Sequence, residues 1–523
     1  MRLALRRDRV VLSLSVAVLA TMTIAGTASI AELYPTAQSR ASFAASVGAN
    51  PALATLIGLA FDLTSVGGIA AWRLGGTVPV LAALVGIFTV VRHTRAEEEA
   101  GRLELLGAGV VGRHAPLTAA LLVAGGGGLA LAVAIAAGLA GVGLPVEGSI
   151  ALGLAFGSAC WVFAAIAAVA AQLSESARAA RGIAAVVLGM SYLARAAGDS
   201  AGDSGLGWLS WLSPVGWGQR VRPFAGDRWW VLALSAAVAL ALVAIAYRLV
   251  ARRDVGAGLL PARPGAARAG ARLGSATGLA WRLQRGALLG WTIGFALTGA
   301  SLGLVAQGVG DLLDDTPQLQ SAFARLGGPQ GIVDAYLASS MGLVGILAAA
   351  YAVQATLRLR SEERDLRAEP VLATGVERTR WVLSHFVFAV AGTVIPLAAA
   401  GLAAGLVHGL RAGDVGDQVS GLVAGALVQL PAAWVLAGIA LALFGLVPRF
   451  ASASWAALAA SLLLIQLGAV LALDQWIIDL SPFAHLPKLP GGELHAAPLA
   501  GLTAVAAALA GAGLIGFHRR DVG

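Results

Sequence analysis

The sequence predicts an all-α polytopic membrane protein of about twelve transmembrane helices. They form two parallel six-helix repeats, with the N- and C-termini cytoplasmic. Three observations predict it. The 523 residues are 58% hydrophobic and 12% charged, with a mean hydropathy of +0.81, whereas soluble domains carry about 25% charge. Charge-free runs long enough to cross a bilayer as helices, ~20 residues each, recur down the chain. A set of short motifs also appears twice, at an interval of about 267 residues. Together these exclude a soluble multi-domain enzyme.

Twelve candidate spans lie at 10–31, 74–91, 116–140, 149–172, 182–198, 229–250, 286–306, 335–357, 381–407, 419–446, 452–473 and 497–517. With the N-terminus inside, 27 arginines fall on the cytoplasmic side, and 8 arginines plus Lys488 fall outside. The acidic residues divide nearly evenly, 13 inside and 15 outside. A Lys/Arg excess on one side is what the positive-inside rule requires of cytoplasmic loops. The net charge of +8 is thereby explained by orientation in a membrane, and no nucleic acid is needed. The first run, after Arg6-Arg7, resembles a cleavable signal. It is read as a retained span because the region has a counterpart in the second half. Cys160, the sole cysteine, lies in an apolar span, which leaves neither a disulfide framework nor a cysteine metal site. One lysine against 35 arginines, with 68 glycines, suggests a GC-rich genome.

The duplication organises the chain. Arg252-Arg253-Asp254-Val255-Gly256 recurs at 519–523, and Leu212-Ser213-Pro214 recurs as Leu480-Ser481-Pro482. Arg95-Ala96-Glu97-Glu98 recurs as Arg360-Ser361-Glu362-Glu363, and Arg102-Leu103-Glu104 as Arg367-Ala368-Glu369. Arg113 aligns with Arg380, and Phe43 with Phe323. Six spans per half keep the halves parallel, a known transporter plan. The expected divisions are a first half at 1–256, a cytoplasmic linker at 257–280 and a second half at 281–523. Each half opens with a basic stretch: Arg2, Arg6, Arg7 and Arg9, then Arg272, Arg282 and Arg285. It suits either an interfacial helix on anionic lipid or ordinary flanking charges that set orientation. Before each last span comes a Trp- and Pro-containing segment, read as a re-entrant or surface-lying helix or as a tryptophan belt with a loop. Gly125 to Gly128, deep in an apolar run, suit close helix packing or a hinge.

The loop after each second span reads as a short amphipathic cytoplasmic helix, charged toward water and apolar on the side of Leu103, Leu105 and Leu106. Arg102 follows Glu98 by four residues, an order that stabilises an exposed helix by a few tenths of a kcal/mol. A single charged run is usually a solvated face, but two copies at matching positions point to a shared task, such as docking two identical partners. An acidic doublet, Gly101-Arg102-Leu103-Glu104-Leu105-Leu106, then an apolar turn and arginine resembles the coupling-helix loop of type-2 ABC-transporter permeases. Its twelve-span actinobacterial branch, the polyketide-antibiotic and multidrug exporter permeases, is the nearest match. Tyr351-Ala352-Val353-Gln354, leading into Arg358, is similar to that branch, and the likeness covers nearly the whole chain.

The resemblance implies a plasma-membrane permease that moves a hydrophobic or amphiphilic compound outward. It implies ATP hydrolysis, with ATP and magnesium, in a separate ATP-binding cassette subunit, two copies per chain. That subunit would receive Glu97, Glu98, Gly101, Arg102 and Glu104, and Glu362, Glu363, Arg367 and Glu369. Leu366 stands where the first copy has Gly101, so a close backbone approach at the second site is in question, and the two sites are candidates for inequality. No cofactor is expected in this chain. A phosphate-binding P-loop needs Gly-Lys-Ser/Thr, and Lys488 sits between prolines. The seven histidines lack metal spacing. The alternative is a twelve-span ion-coupled secondary drug carrier. The scarcity of titratable groups within the spans argues against it. A membrane enzyme acting on lipid-linked substrates would rest on Asp311, Asp314 and Asp315, which read better as a solvated loop.

Overall fold

The computed structural model describes residues 2–47, 57–107, 109, 112–200, 205–254, 256–260, 267–268, 270–314, 328–467 and 474–521. Among them there is no strand. A polypeptide in hydrocarbon must satisfy its backbone polar groups internally, which the helix does. Eleven helices among the described residues are long and apolar enough to cross a membrane. The chain divides into two compact units, Met1–Gly265 and Ala266–Gly523.

In the first unit the six principal helices are Arg2–Leu33, the broken pair Val66–Gly75 and Val78–His93, Ala115–Gly141, Val146–Leu173, Ala177–Ser200 and Trp229–Arg252. The second span thus begins earlier than position 74. Ser65 caps its first piece by accepting from the Gly68 amide at 3.0 Å. Pro79 starts the second, where a missing N–H costs nothing. The fifth helix, Ala177–Ser200, falls short of the apolar criterion because it carries Arg178, Arg181, Arg195 and Asp199. Arg195 is fully buried and sits 3.7 Å from Asp199, which Arg220 also approaches, at 3.4 Å. The basic leader is no separate interfacial helix: Arg2–Leu33 is continuous, since nothing in that stretch breaks a helix.

The fourth helix is the centre of this unit, with most of its length buried. Glycine lets neighbours approach it. A Cβ on Gly157 would lie 2.6 Å from the Gly128 carbonyl of the third helix. Of the Gly125–Gly128 run, Gly127 faces Leu12 and Gly128 faces Trp161, while Gly125 and Gly126 have no neighbour within 4 Å of such a Cβ. The run is therefore a packing surface on one side. Without a hydrophobic drive between helices in lipid, small residues and close contact hold such bundles together.

In the second unit the principal helices are Ala276–Asp314, Gly328–Arg364, Arg378–Ala412, the broken pair Val415–Leu427 and Leu430–Leu446, Ser454–Leu467 and Ala496–Arg519. Its basic leader also merges into the first of these helices, after a short turn at Ala271–Gly274. The tenth span is interrupted at Val428 and Gln429, and Pro431 opens its second piece. Close approaches recur, as at Gly303, where a Cβ would lie 2.5 Å from the Ala404 carbonyl. Phe323 and Asp315 lie outside the described residues, as do the side chains of Asp311 and Asp314.

The segments before the last spans are short helices, Leu206–Leu212 with Pro214–Arg220, and Gln475–Ile478 with Pro482–His485. The repeated Leu-Ser-Pro explains their geometry. Ser213 is fully buried, caps Pro214–Arg220 through the Gly216 amide at 3.0 Å and meets Ser191 of the fifth helix at 2.9 Å. Ser481, equally buried, donates to the Ser461 carbonyl of the eleventh helix at 3.4 Å.

Candidate functional site

The loop after the second span is two short helices, Arg95–Glu99 and Arg102–Gly107. In the second unit the eighth helix runs on to Arg364, and Ala368–Ala373 follows. Both turns use left-handed backbone, φ +67° at Gly101 and +56° at Leu366. In each, an amide bonds back to the doublet: Gly101 N–H to the Glu98 carbonyl, and Leu366 N–H to that of Glu363, both 3.0 Å. A Cβ on Gly101 would meet nothing within 4 Å, so the glycine serves the φ value and not a close approach. Leucine adopts the same conformation at a cost of about 1–2 kcal/mol. Its side chain is exposed. The two turns are alike in backbone, although the second carries a side chain where the first has none. Leu366→Gly is expected to stabilise the purified protein by about 1 kcal/mol, read as a raised thermal midpoint, with Gly101→Leu destabilising it by as much.

The acidic doublets do not face water. Glu97, Glu362 and Glu363 are buried, and the Glu98 side chain is 7% exposed. Their partners come from far along the chain. Arg253 binds Glu98 with both guanidinium nitrogens, Nη2 to Oε1 at 2.5 Å and Nη1 to Oε2 at 2.9 Å. Arg520 binds Glu363 in the same fork, at 2.6 and 2.9 Å. Arg95 also pairs with Glu98, as Arg360 pairs with Glu363 at 3.2 Å, each three residues apart. Arg102 donates to Glu97 at 2.8 Å, and Arg367 lies 3.6 Å from Glu362. The contact raises the exposed Arg102 guanidinium's pKa, chiefly through its hydrogen bond to Glu97. Planar guanidinium and carboxylate match in such a fork, which fixes orientation as well as energy.

One arginine anchors the end of each last span to the neighbouring loop. Arg113 donates to the Arg253 carbonyl. Arg378, not Arg380, is its counterpart and donates to the Arg520 carbonyl at 2.8 Å. Arg380 is exposed. The result is a clasp, present once per unit, that locks the charged turn to the end of the last long helix. Arg253 and Arg520 escaped selection as site residues. The signal was available: Arg-Arg-Asp-Val-Gly and the acidic doublet recur at nearly the same interval, so residues that meet in one half must meet in the other.

The clasps differ in their further partners. In the first unit, Arg7 of the first helix also pairs with Glu97, and buried Asp8 bonds His93 at 2.5 Å and Arg92 at 2.7 Å. In the second, Arg358 takes that place on Glu362 from the same helix. The start of the linker is held as well: Arg95 donates to the Ala257 carbonyl at 2.8 Å, and the Leu259 and Leu260 amides bond Gln172 and Leu173 carbonyls at 3.1 and 2.9 Å.

Among the described residues, those open to a partner include Glu99, Arg102 and Glu104 in the first unit, and Arg364, Asp365, Leu366, Arg367, Glu369 and Pro370 in the second. Behind them, Ala368 is buried, and Val371 and Leu372 pack against a cluster containing Leu359, Trp381, Phe444 and Phe517. The side chains of Leu105 and Leu106 lie outside the described residues. Among the described residues, no three His, Cys, Asp or Glu side chains are placed to hold a metal ion.

A multi-pass helical protein with the same charged clasp in each half has the form of a transporter permease. The family model described as "Multidrug efflux system permease Rv1217c, C-terminal domain" matches residues 273–518. The whole chain is also 46% identical, over 523 residues, to the multidrug efflux system permease protein Rv1217c of Mycobacterium tuberculosis (strain ATCC 25618 / H37Rv), covering 94% of that protein. The chain belongs to this family of multidrug efflux permeases, the class anticipated from its coupling-loop residues. The ion-coupled carrier finds no support in these likenesses.

Proposed function

We propose that this chain is the plasma-membrane permease of an ABC exporter whose energy comes from two copies of a separate ATPase subunit per chain. ATP and magnesium reside in that subunit, and membrane lipid is the only other partner required. The observation that carries the proposal is the repeated clasp. A short charged element on the cytoplasmic side is locked by a buried fork to the last helix of its own unit, once in each half. Exposed Glu104 and Glu369, with Arg102 and Arg367, meet the ATPase. Buried Glu97, Glu98, Glu362 and Glu363 make each element rigid enough to move its helices when the ATPase moves. Gly101 supplies the turn that presents Arg102. The cargo is a hydrophobic or amphiphilic compound moved outward, as for a multidrug efflux permease.

Inverted vesicles carrying the permease and the ATPase encoded beside it test this reading. Uptake of a fluorescent drug such as ethidium is expected to need ATP and to persist when an ionophore collapses the proton gradient. Uptake that follows the gradient and ignores ATP would return the ion-coupled carrier.

A further inference from the structure

The second unit holds a cavity of about 840 Å³ that the coupling machinery does not use. Its long wall is one face of the eighth helix, marked by Gly331, Ala338, Gly342 and Ile346. Ile346 stands sixteen residues before Glu362 on that helix, so the cavity lies about 24 Å or more from the clasp. The far wall includes Ile465 and Phe483, and the proline-flanked segment at Lys488 forms the rim. Drug-sized sites occupy ~300–1,000 Å³ and combine apolar walls with few polar groups.

Two of those groups are acceptors. Gln429, at the break in the tenth span, is 4% exposed, and its Oε1 has no hydrogen-bond partner among the described residues. An amide oxygen left unpaired in an apolar site is costly unless something donates to it. That oxygen packs against Gly345, where a Cβ would lie 2.5 Å from it, and it is closed to the cavity. Asp334 adds a half-buried carboxylate and makes no ion pair among the described residues. The corresponding place in the first unit is closed. Trp72 is buried there and donates to the Gly58 carbonyl at 2.8 Å, Arg222 lies over the Phe61 ring at 4.3 Å, and the remaining space is about 20 Å³.

We propose that this cavity is a binding site for a drug-sized apolar cation, held by its apolar walls and the Asp334 carboxylate. The inference deepens the exporter reading and rests on it for the direction of transport, but not for binding. Gly342 is the natural place to fill the space, because a Cβ there meets nothing within 4 Å.

The test is binding to the purified full-length chain in lipid nanodiscs without ATPase. The probes are rhodamine 6G, an apolar cation with N–H groups, and Nile red, which is neutral and has none. Gly342→Phe is expected to weaken rhodamine 6G at least tenfold, and Ser339→Trp gives the same loss if the first variant does not accumulate. Asp334→Asn is expected to weaken rhodamine 6G about fivefold and to leave Nile red unchanged. Gly294→Phe, on an exposed face away from the cavity, is expected to change neither. The proposal is overturned if wild-type protein binds rhodamine 6G no better than empty nanodiscs, or if both filling variants bind it within twofold of wild type. Binding that survives while no ATPase associates would overturn the exporter reading and leave the cavity standing.

Discussion

Arg253→Ala is expected to lower the stability of the purified permease by about 3 kcal/mol and to abolish coupled transport, because it strands a buried carboxylate. Glu98 and Arg253 are 7% and 8% exposed at their side chains. Removing one member of a buried pair typically costs about 3–5 kcal/mol. Arg95 remains beside Glu98 and holds the figure at the lower end. Arg520→Ala should behave alike through Glu363. Arg252→Ala and Arg519→Ala change exposed neighbours in the same motif and are expected to be nearly silent. Glu98→Gln in the Arg253→Ala background should recover part of the stability, since the stranded charge is gone. It should not recover transport, because the link between coupling turn and last helix is still missing. Thermal unfolding in detergent together with ATP-driven uptake separates the two effects. An Arg253→Ala protein as stable and active as wild type would remove the clasp from the account.

The second large effect concerns the faces left open. Glu104→Lys with Glu369→Lys is expected to eliminate association of the ATPase, while expression and membrane insertion remain normal. Both glutamates are exposed, and neither makes an ion pair among the described residues. Reversal therefore disturbs nothing within the permease. Across an interface, a reversed charge meets its former partner as a like charge, and such juxtaposition costs several kcal/mol. Each single variant is expected to lose one ATPase copy and most of the transport. Pull-down of the ATPase with each variant reads the result, and unchanged recovery with the double variant would place the contact elsewhere.

Much of the architecture was legible in the sequence because long apolar runs have few other fates. Two features were not. The second and tenth spans are broken, and the signals at those breaks, Thr77 to Pro79 and Gln429 to Pro431, are too short to interrupt a hydropathy reading. The fifth helix was read as a plain span although Arg195 and Asp199 make it amphipathic. For the site, the repeat marked the right segments but not their orientation. Periodicity within one segment cannot show a carboxylate covered by an arginine 155 residues away, so Glu98 looked solvent-facing. Leu366 put a close backbone approach in question. The sequence could not show that the turn's own hydrogen bonds hold leucine at φ +56°, in the same left-handed region as Gly101.

The two clasps imply two docking sites, and the mass of the intact complex tests that claim most directly. Permease co-expressed with its neighbouring ATPase, purified in a mild detergent and weighed by native mass spectrometry, is expected to carry two ATPase copies per chain. The Glu104→Lys and Glu369→Lys single variants should each carry one. A wild-type complex with a single ATPase, or with none, would contradict the account.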